Sequence, residues 1–323
     1  MSMSTLEVVF TETYNQLSFA VLRECVPRDW GTSSLTSASA DTLAGAKILM
    51  SGAMGVSAAT LEKLPALMVV QHLGVGVEKI DLAACRSRNV SVLRLCGTNS
   101  VAVAEHTVML ILNGLRRFTL QDLAVRKGQW DREIFRPIAH SLQGKRIGLL
   151  GFGAIAQAVA QRLQAFDVEL LYCSRSEAEP VTAQRLGVRR VDLAELASTC
   201  DVISVHCGLN TETRGLISEA IISLMKPKVL LVNTARGEII DQSALEAALR
   251  ARPTMCAALD TLDKEPPGII PLFTCQNAIF TPHSAGSTID CFTEVITNAC
   301  ANVHAFLDDK PIDLKNLVRD VRK

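Results

Sequence analysis

A chain of 323 residues, 48% apolar and only 20% charged, is long enough for two domains and apolar enough to give each a core of its own. Its 33 basic and 33 acidic residues cancel to a formal net charge of zero, which argues against nucleic acid or an anionic membrane surface as partner. Apolar runs such as 108–112 fall far short of a membrane span, and residues 1–10 have neither the basic start nor the apolar centre of a signal peptide.

In chain order, residues 5–10, 47–50, 67–71 and 91–94 read as short strands. Helical stretches lie between them, for example Ala58 to Lys63, which stops before Pro65. Val101 to Arg117 reads as a long helix with Asn99 and Ser100 as candidate caps. It is apolar on most faces, which implies burial, here between two domains. The apolar run Ile147-Gly-Leu-Leu150 then leads into Gly151-Phe-Gly-Ala-Ile-Ala156 and an amphipathic stretch from Gln157 to Phe166.

That strand–glycine–helix order suits a dinucleotide pyrophosphate. Gly151 permits the tight turn, Gly153 lets backbone approach the phosphates, and the N–H groups of Ala154 and Ile155 open the helix toward the anion. Ala156 stands where a third glycine is common, a substitution the motif accepts. Beyond it the alternation becomes regular. Strands are expected at 168–172, 188–191, 202–205, 229–232, 255–259 and 278–281, and helices near 154–166, 193–199, 218–225 and 242–250. Asp192 with Glu195, and Ser218, mark helix starts, and Pro227 a stop. Residues 291–306 read as a last long helix, followed by a polar tail. Repeated β-α-β units mean a parallel sheet covered on both faces.

The ten cysteines are scattered without a C-x-x-C pair, and several sit in apolar runs, as reduced thiols do in a cytoplasmic protein. Cys300 and His304 have the four-residue spacing of two helical metal ligands, but nothing accompanies them, so core packing is the reading and no metal is expected.

Ligands of doubly wound sheets bind beyond the carboxyl ends of the strands. There, strand 229–232 runs into Asn233-Thr234-Ala235-Arg236-Gly237, strand 255–259 into Asp260 and Glu265-Pro266, and strand 278–281 into Pro282-His283-Ser284. Consecutive strands thus deliver an arginine, a carboxylate and a histidine to one sheet edge.

Taken together, 74–81 (Gly-Val-Gly-Val-Glu-Lys-Ile-Asp), Ala104-Glu105, 151–156, His206 to Thr213, 233–237, Glu265-Pro266 and 281–286 (Thr-Pro-His-Ser-Ala-Gly) resemble the D-isomer-specific 2-hydroxyacid dehydrogenase family over nearly the whole chain. The resemblance implies an α/β fold of two Rossmann-like domains, with the cofactor domain (101–284) inserted in a discontinuous substrate domain (1–100 and 285–323). It further implies His283 as acid/base, Glu265 as its partner and Arg236 as the clamp on the substrate carboxylate. The N–H groups of Val75 and Gly76 would bind that carboxylate too. His206, Cys207, Thr213, Thr234, Ala235, Asp260 and His283 would join the glycine turn around the cofactor, and the molecule would be a homodimer.

The chemistry agrees with the resemblance. Hydride delivery to a keto carbon leaves negative charge on oxygen, so a proton donor must wait there. A planar guanidinium can both hold a carboxylate and polarise the ketone.

Two departures stand out. Gly208 replaces the proline usual after the position of Cys207, which leaves the shape of that loop open. At the end of strand 168–172, where an NAD site places Asp or Glu, this chain has Ser174-Arg175-Ser176, a set suited to a 2′-phosphate. The expectation is therefore an NADPH-preferring reductase of small 2-oxo acids such as glyoxylate and hydroxypyruvate, with NADH as a second cofactor. Phosphoglycerate or D-lactate-type dehydrogenase, and a nucleotide-sensing corepressor or scaffold on the same fold, remain open.

Overall fold

In the computed structural model, residues 6–321 are described. They divide into two compact units, one of residues 6–99 with 287–321, the other of residues 100–286. Residue 5, the expected start of the first strand, lies outside them.

The first unit opens with β1 (Leu6–Phe10), α1 (Gln16–Cys25), β2 (Trp30–Ser34), α2 (Ala40–Gly45), β3 (Ile48–Ser51), α3 (Ala58–Glu62), β4 (Val69–His72), α4 (Leu82–Ser87) and β5 (Ser91–Leu93). The second comprises α5 (Ser100–Arg116), α6 (Phe118–Arg126), β6 (Arg146–Leu150), α7 (Ala154–Leu163), β7 (Glu169–Cys173), α8 (Pro180–Leu186) and β8 (Val188–Arg190). It continues through α9 (Leu193–Thr199), β9 (Val202–Val205), α10 (Glu219–Leu224), β10 (Leu230–Asn233), α11 (Gln242–Ala251), β11 (Cys256–Leu259) and β12 (Ala278–Phe280). The chain then returns to the first unit with α12 (Ile289–Leu307) and β13 (Leu317–Arg319).

Both units are α/β with mainly parallel sheets. The first has strand order β13-β5-β4-β3-β1-β2, the second β12-β11-β10-β9-β6-β7-β8. In each the order reverses once, between β3 and β1 and between β9 and β6, and such a reversal opens a crevice at the carboxyl ends. Every residue of β3, β9, β10 and β11 is buried, as expected of strands covered on both faces. Local signals set several helix starts: Asp192 accepts from the Glu195 N–H and Asp241 from that of Ala244.

Four readings of the sequence need correcting. β2 (Trp-Gly-Thr-Ser-Ser) was not expected as a strand, because it is a polar edge strand in which only Trp30 is buried. The polar tail supplies β13, which pairs antiparallel with β5, so the first sheet is not wholly parallel. Asn99 and Ser100 do not cap α5 with their side chains: Asn99 Oδ1 and Ser100 Oγ are buried and without a partner. Finally, α5 is not enclosed on every side. Leu110 and Ile111 are fully buried, whereas Val101 and Met109 are 57% and 46% exposed. The helix covers α7, β10 and β11 with one face only, because the small residues that let it approach, Ala104 and Gly114, lie on that face.

Candidate active site

The glycine turn leaves β6 between the carboxyl ends of β7 and β9. The Gly151 N–H donates to the Cys173 carbonyl and the His206 N–H to that of Leu150, both at 2.7 Å, which holds the three strand ends together. Gly151 has φ +93°, and a side chain there would strike the backbone of His206 and Cys207. Gly153 is the N-cap of α7, and no atom lies within 4 Å of the place a Cβ would take. That open space, with the first N–H groups of α7 beside it, fits a diphosphate. Ala156 is fully buried, so the third small residue serves packing of helix on sheet.

At the tip of β7, Arg175 is 81% exposed and lies 3.4 Å from Glu212. Sequence reasoning missed a second guanidinium here. Arg190, at the end of β8, donates to the carbonyls of Ser174 (2.9 Å) and Arg175 (3.1 Å) and so shapes the Ser174–Ser176 turn. Only the parallel pairing of β7 with β8 brings it there.

The loop after β9 is closed by Thr213, whose hydroxyl donates to the Gly208 carbonyl at 2.7 Å while Asn210 N–H donates to it at 2.8 Å. Gly208 does not use the left-handed region, so the loop does not depend on glycine at that position. His206 Nε2 lies 2.8 Å from Ser204 Oγ. Desolvation of its ring pulls the imidazole down to about 4.

Arg236, Glu265 and His283 stand at the carboxyl ends of adjacent strands β10, β11 and β12. Asn233 builds the first of these turns: its Oδ1 accepts from Ala235 N–H and its Nδ2 donates to the Arg236 carbonyl. The Arg236 guanidinium donates back to Ala235 O at 2.7 Å. Next to it, Gly237 lies so close to Leu262 and Asp263 that a Cβ would collide with their backbone, which ties the loop after β10 to the loop carrying Glu265.

Glu265 Oε2 lies 2.7 Å from His283 Nδ1, while its Oε1 accepts from Leu262 N–H at 3.1 Å. The carboxylate is thereby fixed, and it leaves Nε2 of the imidazole as the nitrogen that can meet a ligand. The Glu265-Pro266 peptide is cis.

His283 adopts φ +51°, uncommon for a residue with a side chain. Asp260 holds it there. Its carbonyl accepts the His283 N–H at 2.9 Å, its Oδ1 accepts Ser284 N–H (2.8 Å) and Thr281 Oγ1 (2.5 Å), and its Oδ2 accepts Ala285 N–H at 3.0 Å. The carboxylate is thus turned inward onto the turn that bears His283. His106 of α5 completes the group, its Nε2 3.1 Å from Thr281 Oγ1 and 3.6 Å from Asp260 Oδ1. Sequence reasoning missed His106, since it lies more than 150 residues from its partners inside an apolar helix; its polarity at a buried face was the available signal. Thr107 beside it shares a hydrogen bond with Thr234 at 3.0 Å.

In the first unit, Val75 and Gly76 follow β4 at the carboxyl edge of the sheet, and neither N–H donates to another group among the described residues. Cys300 is buried in α12, its thiol pushed up to about 12 by desolvation, and the His304 ring lies 4.8 Å from that of Trp30. No group of three metal-ligating side chains occurs among the described residues.

A dinucleotide turn and a buttressed Arg–Glu–His set on one Rossmann sheet define a dinucleotide-binding α/β class. Comparison with known proteins narrows it. Residues 108–285 match the model of the D-isomer specific 2-hydroxyacid dehydrogenase NAD binding domain. A glyoxylate reductase of Thermofilum pendens is 36% identical over 256 residues, 78% of this chain and 75% of that protein. A D-3-phosphoglycerate dehydrogenase of Archaeoglobus fulgidus is 37% identical over 238 residues, 72% of this chain but only 44% of that protein, so the chain spans less than half of that relative's length. A solved structure described as a putative D-isomer specific 2-hydroxyacid dehydrogenase from Polaromonas sp. JS6 66 superposes with a TM-score of 0.85 at 26% identity, covering 97% of this chain and 99% of that one. The chain belongs to the D-isomer-specific 2-hydroxyacid dehydrogenase family.

One consequence of the His206 environment is measurable. Its folded value lies below the 6.5 of a free imidazole, so as pH falls the unfolded chain takes the proton first. The stabilisation is complete above pH 6.5 and is lost as pH falls toward 4. His206→Gln is expected to flatten the acid limb of the stability curve by on the order of 2–3 kcal/mol between these limits, read from urea midpoints across pH. Parallel curves for the two proteins would contradict it.

Proposed function

We propose that this protein reduces small 2-oxo acids to D-2-hydroxy acids, using hydride from NADPH and a proton from His283. The observation that carries the reading is the 2.7 Å contact of His283 Nδ1 with Glu265, on the same sheet edge as the glycine turn. When bound, the nicotinamide supplies the hydride. Glu265 orients the imidazole and offsets its charge once it is protonated, and His283 Nε2 donates to the oxygen where negative charge develops. In the second unit the Arg236 fork has the geometry to receive a substrate carboxylate; in the first, the N–H groups of Val75 and Gly76 donate to nothing among the described residues and suit a carboxylate likewise. Thr234 and Ala235, with the His206–Thr213 loop, border the cofactor at the same edge. The 6–99 and 287–321 unit is then the substrate domain and the 100–286 unit the cofactor domain.

Glyoxylate and hydroxypyruvate are the substrates favoured by this reading. Small residues, Ser51-Gly52-Ala53 and Leu73-Gly74, follow β3 and β4, and one relative that the chain covers to three quarters of its length is a glyoxylate reductase. For the cofactor, the turn 174–176 carries no carboxylate, Arg175 is open to a ligand, and its exposed pair with Glu212 is the kind worth little and readily exchanged for a phosphate. Ten free thiols agree with a reducing, cytoplasmic compartment.

The segment from α5 onward supports a homodimer. Val101, Met109, Phe118, Leu123, Val125, Trp130 and Ile134 are all substantially exposed, Trp130 at 89%, and a second copy of the same chain would cover them. The buried residues Leu110 and Ile111 carry no weight in this, since they are covered within their own unit. Light scattering is expected to give twice the 34.9 kDa chain mass, and Trp130→Glu with Met109→Glu should shift it toward the monomer. A monomer mass for the unaltered protein across micromolar to millimolar concentration would rule the dimer out.

His283→Ala should lower kcat for glyoxylate by roughly 10²–10⁴ while leaving cofactor affinity nearly intact, because only the proton donor is removed. Steady-state kinetics alongside fluorescence titration with NADPH checks both halves, and a near-normal kcat would refute the assignment. For the cofactor, wild-type kcat/KM should favour NADPH by at least about tenfold, since charge-assisted hydrogen bonds to a 2′-phosphate contribute on the order of 1.5–3 kcal/mol. Ser174→Asp with Arg175→Ala should move the ratio toward NADH. Equal use of the two cofactors by the wild type would mean that Arg175 is only a solvated charge.

A further inference from the structure

The sheet of the first unit has its reversal of strand order between β1 and β3, and a carboxylate already occupies the carboxyl end of that crevice. Glu12, two residues beyond β1, reaches across to the turn after β3. Its Oε2 accepts from the Gly52 N–H at 2.9 Å and from Thr11 Oγ1 at 2.6 Å, and its Oε1 accepts from the Met54 N–H at 3.0 Å. Gly52 must be glycine for this, because a Cβ there would lie 2.7 Å from the carboxylate carbon.

Three features give the arrangement a bearing on ligands. First, the N–H groups of Gly52 and Met54 form the sort of backbone cradle that binds an anion, and Glu12 fills it from within the chain. Second, the charge has no cation beside it: no Lys, Arg or His pairs with Glu12 among the described residues. Its field is felt nearby, since the half-buried Tyr14 hydroxyl is pushed well up by burial and by Glu12. Third, the next loop along the same edge is the one with unused donors. The Leu73 N–H donates to the Ser51 carbonyl at 2.8 Å, which joins the 52–54 turn to the strand end leading into Val75 and Gly76. In addition, Ser51 Oγ is fully buried without a partner.

We propose that Glu12 limits the charge of the substrate: it occupies the second anion cradle of the substrate unit, so that 2-oxo acids with one carboxylate and a neutral remainder are accepted and those with a second carboxylate or a phosphate are rejected. This rests on the reading of the protein as a 2-oxo acid reductase. The carboxylate common to all such substrates has its own donors at Val75 and Gly76. A second anion extending along the edge meets a turn whose donors are taken and whose charge is of its own sign. For two unit charges about 6 Å apart at an effective dielectric constant of about 20, such repulsion corresponds to a discrimination of roughly 100-fold.

The test compares kcat/KM for glyoxylate and hydroxypyruvate with kcat/KM for oxaloacetate and phosphohydroxypyruvate, in wild type, Glu12→Gln and Glu12→Asp. Wild type is expected to favour the singly charged pair by at least about tenfold. Glu12→Gln, which keeps one acceptor and loses the charge, should shrink that preference by a factor of about ten or more, whatever it does to the absolute rates. Glu12→Asp should keep the wild-type preference. A wild-type enzyme that takes phosphohydroxypyruvate as well as hydroxypyruvate overturns the proposal even if no variant folds. So does a Glu12→Gln enzyme, active on glyoxylate, whose preference is unmoved; in both cases the reading of the reaction survives. If no 2-oxo acid is reduced at all, that reading fails and this inference falls with it.

Discussion

The arrangement of the sheet edge that carries Arg236, Glu265 and His283 depends on one buried carboxylate. Asp260 is 2% exposed, and taking a carboxylate out of water is tolerable only when its oxygens accept enough hydrogen bonds. It finds them in the Thr281 hydroxyl and the N–H groups of Ser284 and Ala285, and its own carbonyl takes the N–H of His283. Those bonds oblige the chain to turn tightly after β12, and the turn puts His283 in the left-handed region with its ring toward Glu265. A carboxylate that would be costly if unsatisfied thus stabilises a backbone conformation that would be costly by itself. His106 joins the group from α5, so the longest helix of the second unit is tied to the same turn.

Close backbone approach does at the neighbouring turns what hydrogen bonding does at this one. Gly237 brings the loop of Arg236 against the loop of Glu265, and Gly151 brings the dinucleotide turn against the backbone that follows β9. In both places a methyl group would meet peptide atoms, which cannot move aside without shifting a strand end. The placement of Arg236, Glu265 and the dinucleotide turn is therefore fixed by main chain. Glu265 illustrates this: with Oε1 on the Leu262 N–H, only Oε2 remains for His283.

The two units apply the same topology to different ends. Each is a mainly parallel sheet with a single reversal of order, and each has a crevice there. In the second unit a glycine turn leaves the crevice open, with nothing near the missing Cβ of Gly153. In the first, the crevice is filled by Glu12 on the Gly52 and Met54 amides, and the unused donors are displaced one strand further, to Val75 and Gly76. Where the carboxylate stands thus separates an open turn, fit for a diphosphate, from one whose amides are already taken.

By itself the sequence determined the α/β class, the glycine turn and the placement of Arg236, Glu265 and His283 after three consecutive strands, because each of these is a local matter. Alternating apolar runs specify strands and helices, Gly151 is required by φ within its own turn, and Arg236, Glu265 and His283 stand within a few residues of the ends of apolar strands. Tertiary structure alone decided whatever depends on partners distant in the chain. β2 is too polar and β13, at three residues, too short to be read as strands, and they exist because β1 and β5 offer edges to pair with. His106 joins the turn of His283 through Thr281 and Asp260, Arg190 shapes the Ser174–Ser176 turn because β8 lies beside β7, and Glu12 meets Gly52 forty residues on. The physical reason is the same in each case. A hydrogen bond between distant residues leaves no periodicity in the chain; it forms only when the strands that carry its two ends are laid side by side.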